Sequence, residues 1–161
     1  MYSASNSHSI ASLPSAYNKD GAFFIPFRIY YEDTDTAGVV YYANYLKFAE
    51  RARTEWLRHL GLEQQGLLDA KGIGFVVTRL DIAYKRPAKL DDILWIETRL
   101  QHRSKVRMSM RQILRTELTD CAELTVEIAC VAKKNGNFEL QPLHTALPET
   151  LLAQLPAHLP T

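Results

Sequence analysis

The chain has few of the features that indicate a metal site, a membrane-spanning segment or a nucleic-acid-binding surface. Its 161 residues include two cysteines, Cys121 and Cys130, too few for a disulfide framework or a cysteine zinc site. The formal net charge is +1, so no overall field favours nucleic acid or an anionic membrane. No stretch reaches the roughly 20 apolar residues of a transmembrane helix. We therefore expect no metal, no cofactor, no transmembrane segment and no nucleic-acid partner.

The composition predicts one domain with a loosely attached segment at each end. Hydrophobic residues make up 47% of the chain and charged residues 23%, as is typical of a soluble globular protein. Residues 1–20 are rich in Ser, Asn and Ala and lack the segments of a signal peptide, so we expect a flexible N-terminal arm and a cytoplasmic protein. Residues 21–142 would form the domain. Residues 143–161 would form a tail with a short helix from Pro148 to Leu155.

The strongest periodic pattern predicts one long helix from Ala43 to Leu60. Apolar residues recur there at intervals of three and four, and Gly61 follows as a helix stop. The apolar face comprises Tyr45, Phe48, Ala49, Ala52, Trp56 and Leu60. The charged residues predicted to face away from it are Lys47, Glu50, Arg51, Arg53 and Arg58. The helix should therefore lay one face on a sheet.

Short runs that alternate apolar and polar residues predict the strands of that sheet. The predicted strands are Phe24–Tyr31 before the helix and residues 80–84, 94–100, 106–111 and 123–130 after it. A short helix at Glu63–Lys71 and a hairpin turn at Asn135–Asn137 are also predicted. This order predicts an α+β fold, in which an antiparallel five-stranded sheet wraps around one long central helix.

The stretch between the first strand and the helix carries clustered carboxylates and a glycine. Asp33 and Asp35 follow the strand, and Gly38 allows a close approach to the main chain. An ionised carboxylate beside the free N–H groups of a helix N-terminus can attack an acyl carbon and stabilise the resulting oxyanion. The spacing alone also fits a turn or N-cap role for Asp35. We interpret Asp33 as a structural residue that bonds the turn.

A long motif spans this turn and the start of the helix. Residues 31–45 read YEDTDTAGVVYYANY, and residues 48–55 read FAERARTE. The motif resembles that of the hotdog-fold acyl-CoA thioesterases, in particular the Tol–Pal-associated thioesterases of Gram-negative bacteria, with the 4-hydroxybenzoyl-CoA thioesterases as more distant relatives. The similarity runs from Phe24 to Lys134. It implies a hotdog fold, homodimers that pair their sheets edge to edge and often join into homotetramers, and active sites at the dimer interface.

The resemblance also implies roles for single residues. Asp35 falls on the catalytic aspartate of the family's Asp-x-Asp-x-x-Gly motif and would act as nucleophile or as general base. The main-chain N–H of Tyr42 would hold the thioester carbonyl, and Gly38 would let the backbone approach the acyl group. The Tol–Pal-associated enzymes commonly carry His at the position of Tyr42, so a role for an imidazole is lost here. Asn44 would either cap the helix or contact the substrate.

The basic run His102–Arg107 is the best local candidate for binding the phosphates of coenzyme A. Related thioesterases use basic and hydroxyl side chains in a matching turn. Arg103, Ser104 and Lys105 are therefore the predicted substrate-binding residues, with an acyl-CoA as substrate and acyl carrier protein as an alternative partner. An ordinary solvated turn explains the same run.

Three other functions share part of the pattern. Asp33–Gly38 begins like an EF-hand calcium loop, but Ala37 and Asn44 stand where oxygen ligands are needed. Asp33 and Asp35 also match aspartate-dependent phosphatases, which need alternating strands and helices that this chain lacks. A scaffold that binds acyl carrier protein or serves phospholipid metabolism, with little turnover, is the main alternative to a hydrolase. The residues do not determine the acyl chain length.

Overall fold

The computed structural model describes residues 12–154, in which an antiparallel sheet of seven strands curls around one long helix. The strands are β1 (Tyr17–Lys19), β2 (Ala22–Arg28), β3 (Ile73–Tyr84), β4 (Ile93–Arg103), β5 (Arg107–Arg115), β6 (Asp120–Lys134) and β7 (Asn137–Leu140). The helices are α1 (Asn44–His59), α2 (Gln64–Lys71) and α3 (Glu149–Leu152). Within that part of the chain, no helix is long and apolar enough to cross a membrane.

The order of the strands leaves β3 at one edge of the sheet. Neighbouring strands follow the order β1-β2-β4-β5-β6-β3, all antiparallel, and β7 pairs with the end of β6. Among the described residues, β3 pairs only with β6, so its outer edge presents unpaired main-chain groups that suit pairing with another strand. The antiparallel sheet also excludes the alternating architecture of the aspartate-dependent phosphatases.

Helix α1 packs its apolar face against the inner face of the sheet, as predicted. The buried residues of that face are Tyr45, Phe48, Ala49, Ala52 and Trp56. Opposite them the sheet contributes Leu94, Ile96, Met110, Leu114, Leu124 and Val126, each at most 1% exposed. A fully buried side chain of this size contributes roughly 1.5–3 kcal/mol relative to an exposed one, so this layer dominates the stability of the fold.

The strand predictions were too few and too short. Strands β1 and β7 were missed, so the sheet has seven strands instead of five; they are exposed and only three and four residues long, too short to show a clear period. Strand β3 begins at Ile73 and not at Leu80, because its first residues are continuously apolar and do not alternate. The first predicted strand ends at Arg28 and not at Tyr31, because Ile29 hydrogen-bonds the loop before β4 and a 3₁₀ turn follows.

Residues near both limits of the described range, 12–154, belong to the fold. Leu143, Leu147 and Leu152 are buried in the core, although they fall in the predicted tail. Helix α3 is shorter than the predicted terminal helix, whose last residue, Leu155, lies outside the described residues. At the other end, β1 pairs with β2 although its residues were assigned to the N-terminal arm, and residues 1–11 of that arm lie outside the described range.

One charged side chain of α1 is turned inward, contrary to the prediction. Arg53 Nη1 donates a hydrogen bond to Oε1 of Gln112 at 2.8 Å. Gln112 on β5 is fully buried, and its Nε2 donates to the carbonyl oxygen of Ala49 at 2.9 Å and to Oγ1 of Thr98 at 3.0 Å. A buried amide needs such partners, because leaving one unpaired costs about 1–3 kcal/mol. Helix and sheet are therefore joined by a polar network as well as by apolar packing.

The substitution Phe48→Ala should lower the free energy of unfolding by about 3–5 kcal/mol, because it removes a fully buried ring and leaves a cavity. The neighbouring exposed change Lys47→Ala should stay within about 0.5 kcal/mol of the wild type. Urea denaturation at one fixed protein concentration measures both values. A loss below about 1 kcal/mol for Phe48→Ala would mean that this helix face is not the main core contact.

Candidate active site

The turn that follows β2 holds the carboxylate of Asp35 in a defined orientation. Its N–H donates to the carbonyl oxygen of Val39 at 2.9 Å, and the N–H of Gly38 donates back to the carbonyl oxygen of Asp35 at 3.0 Å. Gly38 has φ of +75°, a conformation that glycine adopts without strain. The N–H of Ala37 donates to Oδ1 of Asp35 at 2.8 Å, which leaves Oδ2 of this exposed side chain open.

Asp33 ties this turn to the strand before it and to the helix after it. Its Oδ2 accepts a hydrogen bond from the N–H of Tyr30 at 2.8 Å. Its carbonyl oxygen accepts from the N–H of Tyr41 and from Nδ2 of Asn44, both at 3.0 Å. Asp33 and Asn44 are both buried. Asp33 therefore has the structural role that the sequence indicated, and Asn44 joins it in holding the turn against α1.

The start of α1 leaves main-chain donors unbonded. The helix begins at Asn44, whose N–H donates to the carbonyl oxygen of Tyr41 at 2.8 Å. Within residues 12–154 the N–H of Tyr42 has no main-chain acceptor, and the N-cap residue Ala43 provides no side-chain cap. Unbonded N–H groups at this end of a helix carry partial positive charge and favour an anionic oxygen.

An open cleft of about 300 Å³ brings Asp35 and Tyr42 together. The other residues that line it are Val39, Val40, Tyr45, Tyr84, Lys85, Arg86 and Pro87. The cleft thus combines a carboxylate, a helix N-terminus, aromatic rings and two basic residues. The arrangement can accommodate an acyl group with its carbonyl oxygen near the helix and its carbonyl carbon near the carboxylate.

Two tyrosines from distant segments form the aromatic wall of the cleft. The Tyr84 hydroxyl donates to the carbonyl oxygen of Tyr42 at 3.0 Å, and the Tyr45 hydroxyl accepts from the N–H of Ala88 at 3.0 Å. Their rings meet edge to face, with centroids 5.7 Å apart. Burial raises the pKa of Tyr84, and burial also raises the pKa of Tyr45 against the opposing effect of the Ala88 N–H. Both hydroxyls are therefore neutral at physiological pH.

The two basic residues at the cleft differ in their partners. Lys85 pairs with Glu123 at 2.6 Å, and hydrogen bonds from Lys85 and Arg111 hold the pKa of Glu123 below its usual range. Arg86 is exposed and forms no ion pair within the described chain. Arg86 is therefore the cation at this cleft that is available to a phosphate group.

Sequence reasoning missed Tyr45, Tyr84, Lys85 and Arg86 as site residues. Tyr84 ends β3 and Lys85 and Arg86 follow it, about 50 positions along the chain from Asp35, and no periodic pattern connects the two segments. The one available signal was a basic pair directly before Pro87 at a strand end. Tyr45 had been interpreted as a core residue, and it is both buried and in contact with the cleft.

The predicted basic turn lies at the opposite end of the sheet. Val39 pairs with Lys89 just before β4, whereas Arg103 ends that strand, roughly 30 Å away along its length. Arg103, Ser104 and Lys105 line a separate cavity of about 530 Å³. Nε of Arg103 donates to the carbonyl oxygen of Leu152 at 2.6 Å. One chain therefore does not bring these residues to the cleft of Asp35.

The sequence matches the Thioesterase-like superfamily over residues 30–155. Acyl-CoA thioesterase YbgC of Haemophilus influenzae is 46% identical over 112 residues, which cover 70% of this chain and 82% of the relative. Acyl-CoA thioester hydrolase YbgC of Escherichia coli is 41% identical over 130 residues, which cover 80% of this chain and 92% of the relative.

Two crystal structures show the same fold. That of a probable thioesterase from Bartonella henselae superposes with a TM-score of 0.67 at 35% identity, covering 74% of this chain and 98% of that one. That of 4-hydroxybenzoyl-CoA thioesterase from Pseudomonas sp. superposes with a TM-score of 0.74 at 18% identity, covering 82% and 97%. The match over most of the sequence and the shared architecture place the chain in the thioesterase-like superfamily: it has the hotdog fold and is a thioester hydrolase.

Proposed function

We propose that the protein hydrolyses acyl-CoA thioesters in the cleft between Asp35 and the start of α1. The observation that carries this proposal is that one cleft at the start of α1 is lined by Asp35, with its exposed carboxylate, and by Tyr42, whose N–H has no main-chain acceptor among residues 12–154. The names of the relatives from Haemophilus influenzae and Escherichia coli support acyl-CoA as the substrate class.

The N–H of Tyr42 stabilises the charge that develops on the carbonyl oxygen. When the carbonyl carbon becomes tetrahedral, its oxygen carries a negative charge, and a preorganised donor typically supplies about 2.7–4 kcal/mol of stabilisation there. The dipole of α1 adds to this effect, since the positive end of the helix faces the cleft. This donor belongs to the main chain, so it does not require the His that the Tol–Pal-associated enzymes commonly carry at this position.

Asp35 supplies the base or the nucleophile. As a base, Oδ2 removes a proton from water, the water oxygen bonds to the carbonyl carbon, the C–S bond breaks, and the coenzyme A thiolate takes up the proton. As a nucleophile, Asp35 forms a mixed anhydride and releases the thiolate, and water then cleaves the anhydride to regenerate the carboxylate. In either route the hydrogen bond from Ala37 to Oδ1 orients the carboxylate.

The phosphates of coenzyme A have two candidate anchors. Arg86 is the available cation on the same cleft. Arg103, Ser104 and Lys105 contribute only if a second copy of the chain supplies them, because they lie at the far end of β4 in the same chain. The unpaired edge of β3 offers a surface on which two copies pair their sheets, so we propose a homodimer as the working unit.

Replacing Asp35 by Asn should lower kcat by at least about 100-fold, because the amide neither attacks nor removes a proton. The exposed neighbour Glu32 provides a control, and Glu32→Gln should keep nearly full activity. Thiol release from purified protein with a panel of short, long and aromatic acyl-CoAs measures both. Undiminished turnover by the Asp35→Asn protein would remove Asp35 from the mechanism.

Gly38→Ala should reduce kcat and destabilise the fold by about 1–2 kcal/mol, because an L-residue is strained at φ of +75°. Gly66→Ala, in the interior of α2 and at ordinary φ, should leave activity unchanged and not destabilise the protein. Thermal unfolding and thiol release on both variants test this. Wild-type behaviour of Gly38→Ala would show that the turn conformation does not matter for the site.

Arg86→Gln should raise KM for an acyl-CoA about threefold to fivefold, as expected for one exposed charge pair, with kcat nearly unchanged. The same acyl group on N-acetylcysteamine carries no phosphate, and its hydrolysis should not be affected. Added salt should reduce the difference on the acyl-CoA. An equal effect on both thioesters, or no effect on either, would exclude Arg86 as a phosphate contact.

A further inference from the structure

A second cavity, of about 100 Å³, lies between α1 and the sheet, apart from the cleft of Asp35. Phe75 and Val77 of β3 and Met108 and Met110 of β5 form apolar walls. Arg53 of α1 lies in the remaining wall. Glu50 and Gln64 also line it, so the cavity combines apolar walls with a few polar and charged groups, as ligand sites do.

The guanidinium of Arg53 is held by a fully buried network. Its Nη1 donates to Gln112 at 2.8 Å, and Gln112 is itself anchored by the Ala49 carbonyl and the Thr98 hydroxyl. Gln112 is 0% exposed and Thr98 is 2% exposed, so this support is rigid. The side chain is thus preorganised before any ligand arrives.

Arg53 lies in the field of Glu50 without forming an ion pair with it. None of the ion pairs among residues 12–154 includes it. Glu50, on the same cavity wall, accepts a hydrogen bond from the Thr54 hydroxyl at 2.7 Å instead. Burial lowers the pKa of Arg53, and the charge of Glu50 only partly offsets that effect, but a guanidinium stays protonated in proteins. A partly desolvated cation with unused N–H donors favours a carboxylate, which it can bind through two parallel hydrogen bonds.

An apolar row along β3 leads from the cleft to this cavity. Tyr84 lines the cleft, and Ile82 and Leu80 pack against the core. The pairing of β3 with β6 shifts register between Val77 and Arg79, which changes the side of the sheet on which successive side chains lie. Val77, before the shift, lines the cavity. These residues follow β3 from the cleft toward the cavity, with the unpaired edge of that strand on the outer side.

The length of the path suits a medium-length acyl chain. From its start at Asn44, two residues after Tyr42, α1 rises about 14 Å to Arg53. Leu46 lies on the same side of α1 as Arg53, two turns before it, and is half-buried, so the helix side of the path is also apolar. A chain that starts at the cleft thus ends beside a guanidinium.

We propose that this cavity receives the far end of the acyl group, and that Arg53 selects acyl chains that end in a carboxylate. The substrate class is then the mono-CoA thioesters of medium-chain dicarboxylic acids. This inference rests on the proposed acyl-CoA hydrolysis and specifies its substrate. An unsubstituted chain of the same length enters the same path but leaves the charge of Arg53 without a partner.

Thiol release from dodecanedioyl mono-CoA and from dodecanoyl-CoA tests the inference. The wild type should prefer the dicarboxylic substrate at least about tenfold in kcat/KM, as expected for one charge-assisted hydrogen bond. Arg53→Met should remove that preference and leave hydrolysis of dodecanoyl-CoA within about threefold, since the change preserves most of the side-chain volume. Arg58→Met, on the exposed part of the same helix, should keep the wild-type preference.

A second variant tests the path without changing any charge. Val77→Trp should fill the cavity from the sheet edge, where Val77 is 51% exposed, and should lower kcat/KM for both dodecyl substrates more than for acetyl-CoA. Thermal unfolding checks that each variant is folded. Equal kcat/KM for the two substrates in the wild type, or an unchanged preference in Arg53→Met, would overturn the role of Arg53. No thiol release from any acyl-CoA would instead overturn the proposed function, and this inference with it.

Discussion

The hydrogen bonds of Asp33 are the constraint on which the site depends. Its carboxylate binds the main chain before the turn, and its carbonyl oxygen binds Tyr41 and Asn44 at the start of α1. A single buried residue thereby fixes the segment after β2 relative to the helix. Because Asp35 lies two positions further along and Tyr42 lies just before the helix, the same bonds set the position of the Asp35 carboxylate relative to the proposed oxyanion donor. An active site of this kind needs rigid placement more than it needs unusual side chains.

The core around α1 places both ends of the proposed substrate path. Apolar packing of the helix against β4, β5 and β6 positions its N-terminus at the cleft. The polar network of Gln112 positions Arg53 at the distal cavity. A buried amide and a partly buried guanidinium add less to stability than a well-packed apolar pair would. Their presence between helix and sheet is therefore better explained by a function for the charge than by folding.

The periodic parts of the sequence were the predictable parts. The long helix showed a clear apolar stripe, and the alternating centres of the later strands were found because one face of an antiparallel sheet is buried. The exposed hairpin strands β1 and β7, of three and four residues, were too short for a clear pattern, and the apolar start of β3 does not alternate. The orientation of Arg53 was predicted wrongly for a related reason. Arg53 borders the apolar face of α1, and a charged residue at such a position points toward the sheet only if the sheet offers it a hydrogen-bond partner. Here that partner is Gln112.

By itself, the sequence determined the fold class, the family and the local turn that carries Asp35 and Gly38, because these depend on short-range periodicity and on contiguous residues. Only the tertiary structure decided which distant residues share the cleft. Tyr84 and Arg86 reach it because β3 runs along the edge of the sheet and ends beside α1, whereas Arg103 to Lys105 are carried to the other end of β4. The physical reason is that chain topology, and not local propensity, decides which end of a strand meets which end of the helix.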